Sequence, residues 1–453
     1  MKIETSQFKD SDPSSASINM NAYWMPYTPN RYFKNKPKIM VAAKGIYYTD
    51  DHGRKLFDGA SGLWTCPLGH GDPRIIDAIQ KQYQKMDYVP AFQMAGPETF
   101  RLAERIVQYA PAGLNKVFFV NSGSEAVDTS LKIAIAYHRA KGEATRTRFI
   151  GRERAYHGGC IGGISVGGIP TNRKSFSSMM VPGVDHLPHT LNLSQMAFSK
   201  GMPTWGAHLA DDLEKIVALH DASNIAAVIL EPVQGSTGVI VPPVGYLQKI
   251  REICDKHGIL LIFDEVITGF GRLASNFGAD RFGVKPDMIT FAKAITNGVI
   301  PMGGVIVRED IYETVVNAGG QEQLVEFFHG FTYSGHPIAT AAAHASLDIF
   351  ESDGIIEKTK VLEKVLEDGV HSFKGMNGIL DIRNCGVSAG LDLEPIAGKP
   401  GLRGMQVLES CIENGILVRI TGDTIALGPP FIATPSELES FIETFGKVLK
   451  KAF

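Results

Sequence analysis

Between about residue 73 and residue 305, the apolar runs KVFFV, RFIG, AAVILEPV, GILLIFDEV, MITFAK and GGVIV recur without polar alternation. Longer helical patterns such as GSEAVDTSLKIAIAYHRAKG separate them. A strand with one wet face alternates polar and apolar side chains, so runs without alternation predict a parallel sheet buried on both faces by helices. After about residue 338 the pattern changes. IATAAAHASLDIFES and EKTKVLEKVLEDGVHSF read as helices, and ILDIRNCG, ILVRIT and TIALGPP as short strands, which predicts a smaller α+β domain. At 453 residues the chain exceeds one ordinary core, in keeping with one large and one smaller domain. Ahead of the large domain, Pro26 and Pro29 keep NAYWMPYTPNRYF from forming a long helix, and IYYTDDHGRKLFDG reads as a hairpin. Residues up to about Ser17 are polar.

The balance of residues removes several function classes. With 44% hydrophobic and 21% charged residues the chain reads as globular and soluble. No apolar run reaches the roughly 18 residues of a spanning helix. MKIETSQFKDSDPSSAS lacks a basic stretch followed by an apolar one, so a cytoplasmic location is expected. A net charge of -3 with no basic block argues against nucleic-acid or membrane partners. Cys66, Cys160, Cys254, Cys385 and Cys411 are odd in number and scattered, never as C-x-x-C, so neither a disulfide framework nor a metal site is expected.

In open α/β sheets ligands gather beyond the carboxyl ends of the strands. After KVFFV comes NSGSEA, a small-residue turn whose Ser122, Gly123 and Ser124 open a helix. Such a helix start can hold an anion, although Ser followed by x-x-Glu is also an ordinary capping box. After RFIGRER come Tyr156 and His157 on a Gly-rich turn, after AAVIL comes Glu231, and after ILLIF come Asp264 and Glu265. MITFAK ends on Lys293. A lone strand-end lysine usually snorkels to solvent. Together, however, an anion cradle, an aromatic, a buried acid and a desolvated lysine are the parts a pyridoxal phosphate enzyme needs. The lysine forms a Schiff base and the acid keeps the pyridine nitrogen protonated. Asp264 then stays ionised because a pyridinium offsets its desolvation. No G-x-G-x-x-G follows a strand, which removes a nicotinamide reading. A phosphate-binding α/β protein without covalent chemistry would explain SGSE but not Lys293 with Asp264.

The motifs NSGSEA, AYHG, EPVQG, LLIFDEVITGFGR, PDMITFAK, PMGG and FTYSGHP resemble those of the class III (omega) aminotransferases of pyridoxal phosphate fold type I, in the family's order over almost the whole chain. YWMPYTPNR, SGLWTCPLGHGDPR, VDHLPHT, HDASNIAAVI and PPVGYLQKIREICD resemble the omega-amino acid:pyruvate branch most. The resemblance implies a large domain with a mostly parallel sheet over residues 61–335, a small domain over residues 336–453, and residues 1–60 joining the small one. It makes Lys293 the cofactor lysine and proton shuttle, pairs Asp264 with the ring nitrogen, and has Glu231 orient Asp264 or a neighbouring group. Tyr156 and Val266 would pack on the two ring faces, Ser122, Gly123 and Ser124 would hold the phosphate, and Thr332 of a neighbouring subunit would complete that cradle. The implied active form is therefore a homodimer with shared sites, or a pair of such dimers. His157 stands beside the cofactor, and both it and His336 are expected to serve structure rather than proton transfer.

Departures from the wider family bear on substrate. Where ornithine- and GABA-type members carry a Gln in DEVQTG, this chain has Ile267, and their gating Arg and acid are replaced by Ala426 and Ser236. Arg419 stands where the pyruvate-using branch has a mobile arginine, able to clamp one carboxylate or swing away. Trp64, Tyr23, Trp24 and Phe92 would line an apolar pocket for a short donor. The expected reaction moves an amino group from β-alanine, a related omega-amino acid or an (S)-amine to pyruvate. Use of 2-oxoglutarate, or an aminomutase or racemase of the same fold, is the alternative.

Overall fold

The computed structural model describes residues 18–453. The polar opening segment to Ser17 lies outside the described residues. The central sheet contains β1 (Leu114–Val120), β2 (Arg148–Arg152), β3 (Val184–Leu187), β4 (Ile225–Leu230), β5 (Leu260–Asp264), β6 (Met288–Ala292) and β7 (Gly303–Arg308). Their order across the sheet is β1-β7-β6-β5-β4-β2-β3. Every residue of β4, β5 and β6 is buried, as expected for strands covered on both faces.

One strand departs from the parallel reading. β7, the GGVIV run, pairs antiparallel with both β1 and β6. Burial on both faces gives the same apolar pattern in either direction, so composition could not reveal this. The connection could have. Only residues 293–302 join β6 to β7, with one short 3₁₀ turn, less than a parallel crossover requires. The result is a mostly parallel sheet in which the chain returns immediately after Lys293.

The remaining sheets lie at the two ends of the chain. Ile379–Asn384, Ala389–Leu393, Thr424–Leu427 and Arg419–Thr421 form an antiparallel sheet, the second strand unannounced by any run noted above. Tyr47–Asp50 and Lys55–Asp58 form the expected hairpin, to which Ile416–Leu417 adds in parallel through Ile416 opposite Phe57. The N-terminal segment is thereby stitched to the C-terminal one. The helix Pro337–Ser352 belongs to both cores: Ala339, Ala343 and Leu347 pack with the central sheet, and Ala342, Ile349 and Phe350 with the smaller core. Alternating small and large residues let one helix face both ways. After Pro29 only Asn30–Asn35 is helical. All five cysteines are free. No helix among the described residues is long and apolar enough to cross a membrane.

Candidate active site

Beyond the carboxyl ends of β2, β4, β5 and β6 lies a cavity of about 140 Å³. Its walls include Gly123 and Ser124, Tyr156 and His157, Glu231, Asp264 with Val266, and Lys293, so the structure brings eight of the sequence-predicted residues to one place. Lys293 follows β6 directly and takes a left-handed backbone, φ 55°. For a residue with a side chain this conformation is strained, and such strain persists where surrounding structure enforces it. Burial disfavours the ammonium and brings the Lys293 pKa down to about 8, against the opposing pull of Asp264 and Glu231; Arg419 and Arg272 push it further down. A lysine so placed is a ready nucleophile.

The acids that close β5 face different neighbours. Asp264 Oδ2 lies 2.7 Å from His157 Nδ1, and Oδ1 accepts from the Val266 N–H and the Thr290 hydroxyl, each at 3.2 Å. Glu265 instead caps the helix Gly278–Phe282, accepting from the N–H groups of Gly278 and Ala279 and from the Thr268 hydroxyl. Burial pushes its pKa up to about 7. Of the DE pair, only Asp264 borders the cavity. Glu231 does not hydrogen-bond Asp264. It accepts from the Tyr156 N–H at 2.9 Å and the Gly235 N–H at 3.1 Å, and burial raises its pKa to about 7 despite the nearby His157.

At the cradle both readings of SGSE are realised by different residues. Ser122 is the N-cap of the helix Gly123–Ala140, its hydroxyl accepting from the Glu125 N–H at 3.1 Å, while Glu125 accepts from the Asn121 N–H. Ser122 is absent from the cavity wall; Gly123 and Ser124 form it. The first N–H groups of a helix have no partner within it, which suits an anion there. Close approach is built in. A Cβ on Gly123 would come within 2.8 Å of Val266, and one on Gly158 within 2.3 Å of the Ser124 hydroxyl. Ser124 also accepts from the Gly159 N–H at 3.0 Å, tying the cradle to the Tyr156 loop. Burial, with Tyr27 edge-on at 6.5 Å, raises the Tyr156 pKa to about 12, so its phenol is neutral. An anion cradle, a neutral aromatic, a hydrogen-bonded carboxylate and a low-pKa lysine around one cavity fit pyridoxal 5′-phosphate.

Other predicted residues stand apart in the single chain. Tyr23 and Trp24 are exposed, and Phe92 lines a separate cavity of about 290 Å³ with Phe118 and His329. Thr332 is exposed and its carbonyl accepts from the Tyr88 hydroxyl at 3.0 Å. Trp64 is buried against Gly428 instead of lining the cavity. His336 caps the helix Pro337–Ser352, accepting from the Ile338 N–H. Arg419 starts its strand directly opposite Ala426, and Thr421 two residues on donates to the Ser236 carbonyl at 2.7 Å. Two of the three positions that depart from the wider family, Ala426 and Ser236, therefore adjoin the Arg419 strand.

Sequence reasoning passed over Thr290, Arg272 and Arg152. Thr290 lies opposite Asp264 in the β5–β6 pairing, a relation visible only once register is known. Arg272 ends the LLIFDEVITGFGR motif; it is buried, donates to the Val387 and Pro429 carbonyls, and stacks 4.4 Å from the Phe431 ring. An arginine closing a glycine-rich apolar stretch was the available signal.

A model of the family "Aminotransferase class-III" matches residues 30–449. An omega-aminotransferase of Caulobacter vibrioides is 52% identical over 96% of this chain and 99% of its own. A beta-alanine--pyruvate aminotransferase of Pseudomonas aeruginosa is 50% identical over 96% and 97%. Among solved structures, the omega transaminase of Pseudomonas jessenii in complex with PMP is 32% identical and superimposes with a TM-score of 0.90 over 95% of this chain and 96% of that one. The chain belongs to the class III aminotransferases, enzymes that depend on pyridoxal phosphate.

Proposed function

We propose that this aminotransferase moves the amino group of a β-alanine-type omega-amino acid or amine to pyruvate, releasing an aldehyde or ketone and L-alanine. The observation that carries the pyruvate reading is the setting of Arg419, with Ala426 opposite it and Ser236 beside its strand. No second acid or arginine stands at those positions to gate a dicarboxylate. Identity of about 50% to relatives named for pyruvate supports the same reading. When bound, pyridoxal phosphate supplies an electron sink for charge developing on the donor carbon. Asp264, oriented by His157 and Thr290, would hold a proton on the ring nitrogen. Lys293 Nζ, with a pKa of about 8, would take the proton from the donor carbon and deliver it to the cofactor carbon that receives the amino group. Gly123 and Ser124 would hold the phosphate, and Tyr156 and Val266 would pack on the two faces of the ring. Arg419 binds the carboxylate of the acceptor.

The exposure of Tyr23, Trp24, Phe92 and Thr332 supports a homodimer in which these residues complete a neighbouring site, with pairing of dimers as a further step. The enzyme acts in the cytoplasm. The deciding measurement is the visible spectrum of the holoenzyme after β-alanine, then after pyruvate or 2-oxoglutarate in separate samples. Bleaching by β-alanine and recovery with pyruvate is expected. Recovery mainly with 2-oxoglutarate would refute the acceptor, and a spectrum indifferent to an acceptor while substrate isomerises would favour an aminomutase.

A further inference from the structure

Glu231 lies within the cofactor cavity, yet its bonds lead away from Asp264. Its two carboxylate oxygens accept from two different loops: Oε1 from the Tyr156 N–H and Oε2 from the Gly235 N–H. The first loop carries the aromatic wall. The second carries Gly235, where a Cβ would come within 2.8 Å of Ile267, a residue of the opposite wall. Behind the carboxylate, the buried Arg152 at the end of β2 donates from Nη2 to the Glu231 carbonyl at 2.7 Å. No carboxylate lies within ion-pairing distance of Arg152 among the described residues, and its Nε and Nη1 have no hydrogen-bond partner there. A buried cation without a paired anion favours ionisation of the nearest carboxyl.

We propose that Glu231 is a positioning residue, a brace that fixes the Tyr156 loop and the Gly235–Ile267 wall at the separation the cofactor ring needs, with Arg152 keeping that brace ionised. This rests on the cavity being the cofactor site. A carboxylate accepts from both loops at full strength, whereas a carboxylic acid accepts more weakly and adds a donor facing an N–H group. The groups that face Glu231 are His157, Asp264 and Lys293 from the cavity side and Arg152 from β2. His157 and Arg152 favour its charge and Asp264 opposes it, while burial moves its pKa up to about 7, inside the working range.

The test is cofactor binding to apoenzyme, followed by fluorescence quenching and equilibrium dialysis with pyridoxal phosphate across pH 6 to 9. Affinity of the unaltered protein should fall in two stages toward acid, through about 8, where Lys293 takes up a proton, and through about 7, where Glu231 does. Glu231→Gln, which retains one acceptor, should weaken binding about tenfold at pH 8 and remove the lower stage of the acid limb, leaving the Lys293 stage. Arg152→Met should move that limb to higher pH, because removing a cation raises the carboxyl pKa; Arg152→Lys should restore it. The arginine pair keeps the idea testable if Glu231→Gln folds poorly. Wild-type affinity and an unaltered limb in Glu231→Gln would overturn the brace, as would an Arg152→Met limb that stays in place. A change confined to the pH dependence of the bound cofactor's absorbance would instead make Glu231 a partner of Asp264. Failure of the unaltered apoenzyme to bind pyridoxal phosphate would overturn the site itself.

Discussion

Apoenzyme should capture pyridoxal phosphate with an apparent pKa near 8, and Asp264→Asn should make that capture faster at neutral pH even as it destroys transamination. Lys293 falls from 10.5 to about 8 because burial disfavours its ammonium. That shift is worth a few kcal/mol and raises the neutral fraction at pH 7 from roughly 1 in 3,000 to roughly 1 in 10, on the order of several hundredfold in nucleophile. Asp264 is the largest charge opposing the shift, ahead of Glu231. Replacing it by Asn removes an anion that favours the ammonium, so the apparent pKa drops further. The assay is stopped-flow absorbance of apoenzyme mixed with pyridoxal phosphate from pH 6 to 10.5, with Lys293→Met as the blank. The same shift governs stability. Between pH 8 and 10.5 the unfolded chain binds the additional proton, so this lysine's cost is complete below pH 8 and vanishes as pH rises toward 10.5. Apoenzyme should gain thermal stability across that window relative to Lys293→Met. A capture midpoint near 10.5, or one that Asp264→Asn raises, would refute the argument that desolvation outweighs the two carboxylates.

Further tests address the cradle, the wall and the substrate gate. Ser122→Ala should cost about 1 kcal/mol of stability as a lost helix cap, read in the thermal midpoint, with little loss of cofactor affinity. Gly235→Ala should strain the contact with Ile267 by about 1–3 kcal/mol and lower the midpoint, and Ile267→Val should partly relieve it. Arg419→Ala should raise the KM for pyruvate about 10- to 100-fold, the value of a charge-assisted hydrogen bond, while sparing turnover of a carboxylate-free amine donor. Thr332→Ala and Lys293→Ala, each inactive or weak alone, should regain about one quarter to one half of wild-type activity in mixed dimers, because one site of the hybrid is intact; no recovery would refute sharing.

What the sequence disclosed, and what it withheld, follows from the range of the interactions involved. Lys293, Asp264 and Glu231 each end an apolar run and Tyr156 stands on the turn after one, and a strand buried on both faces leaves its first polar residues at the sheet's end, where ligands bind. Periodicity therefore located them one strand at a time. The direction of β7 and the partnership of Asp264 with Thr290 depend on which strand lies beside which, and an apolar run carries no such record. Glu231 shows the difference most plainly. Its position was legible, and its bonds to the Tyr156 and Gly235 loops were not, because both donors are backbone N–H groups that every sequence supplies. Ser122 shows the converse: its hydroxyl suits capping and phosphate alike, and local geometry engages it with the Glu125 N–H. Arg152 and Arg272 were invisible for a third reason. Composition treats arginine as a surface residue. Both are buried here beside polar backbone, where a guanidinium offers five donors and a charge that reaches the carboxylates and lysine of the cavity. The residues that line the cavity were thus marked in the chain, while those that set their charges become recognisable only through the fold.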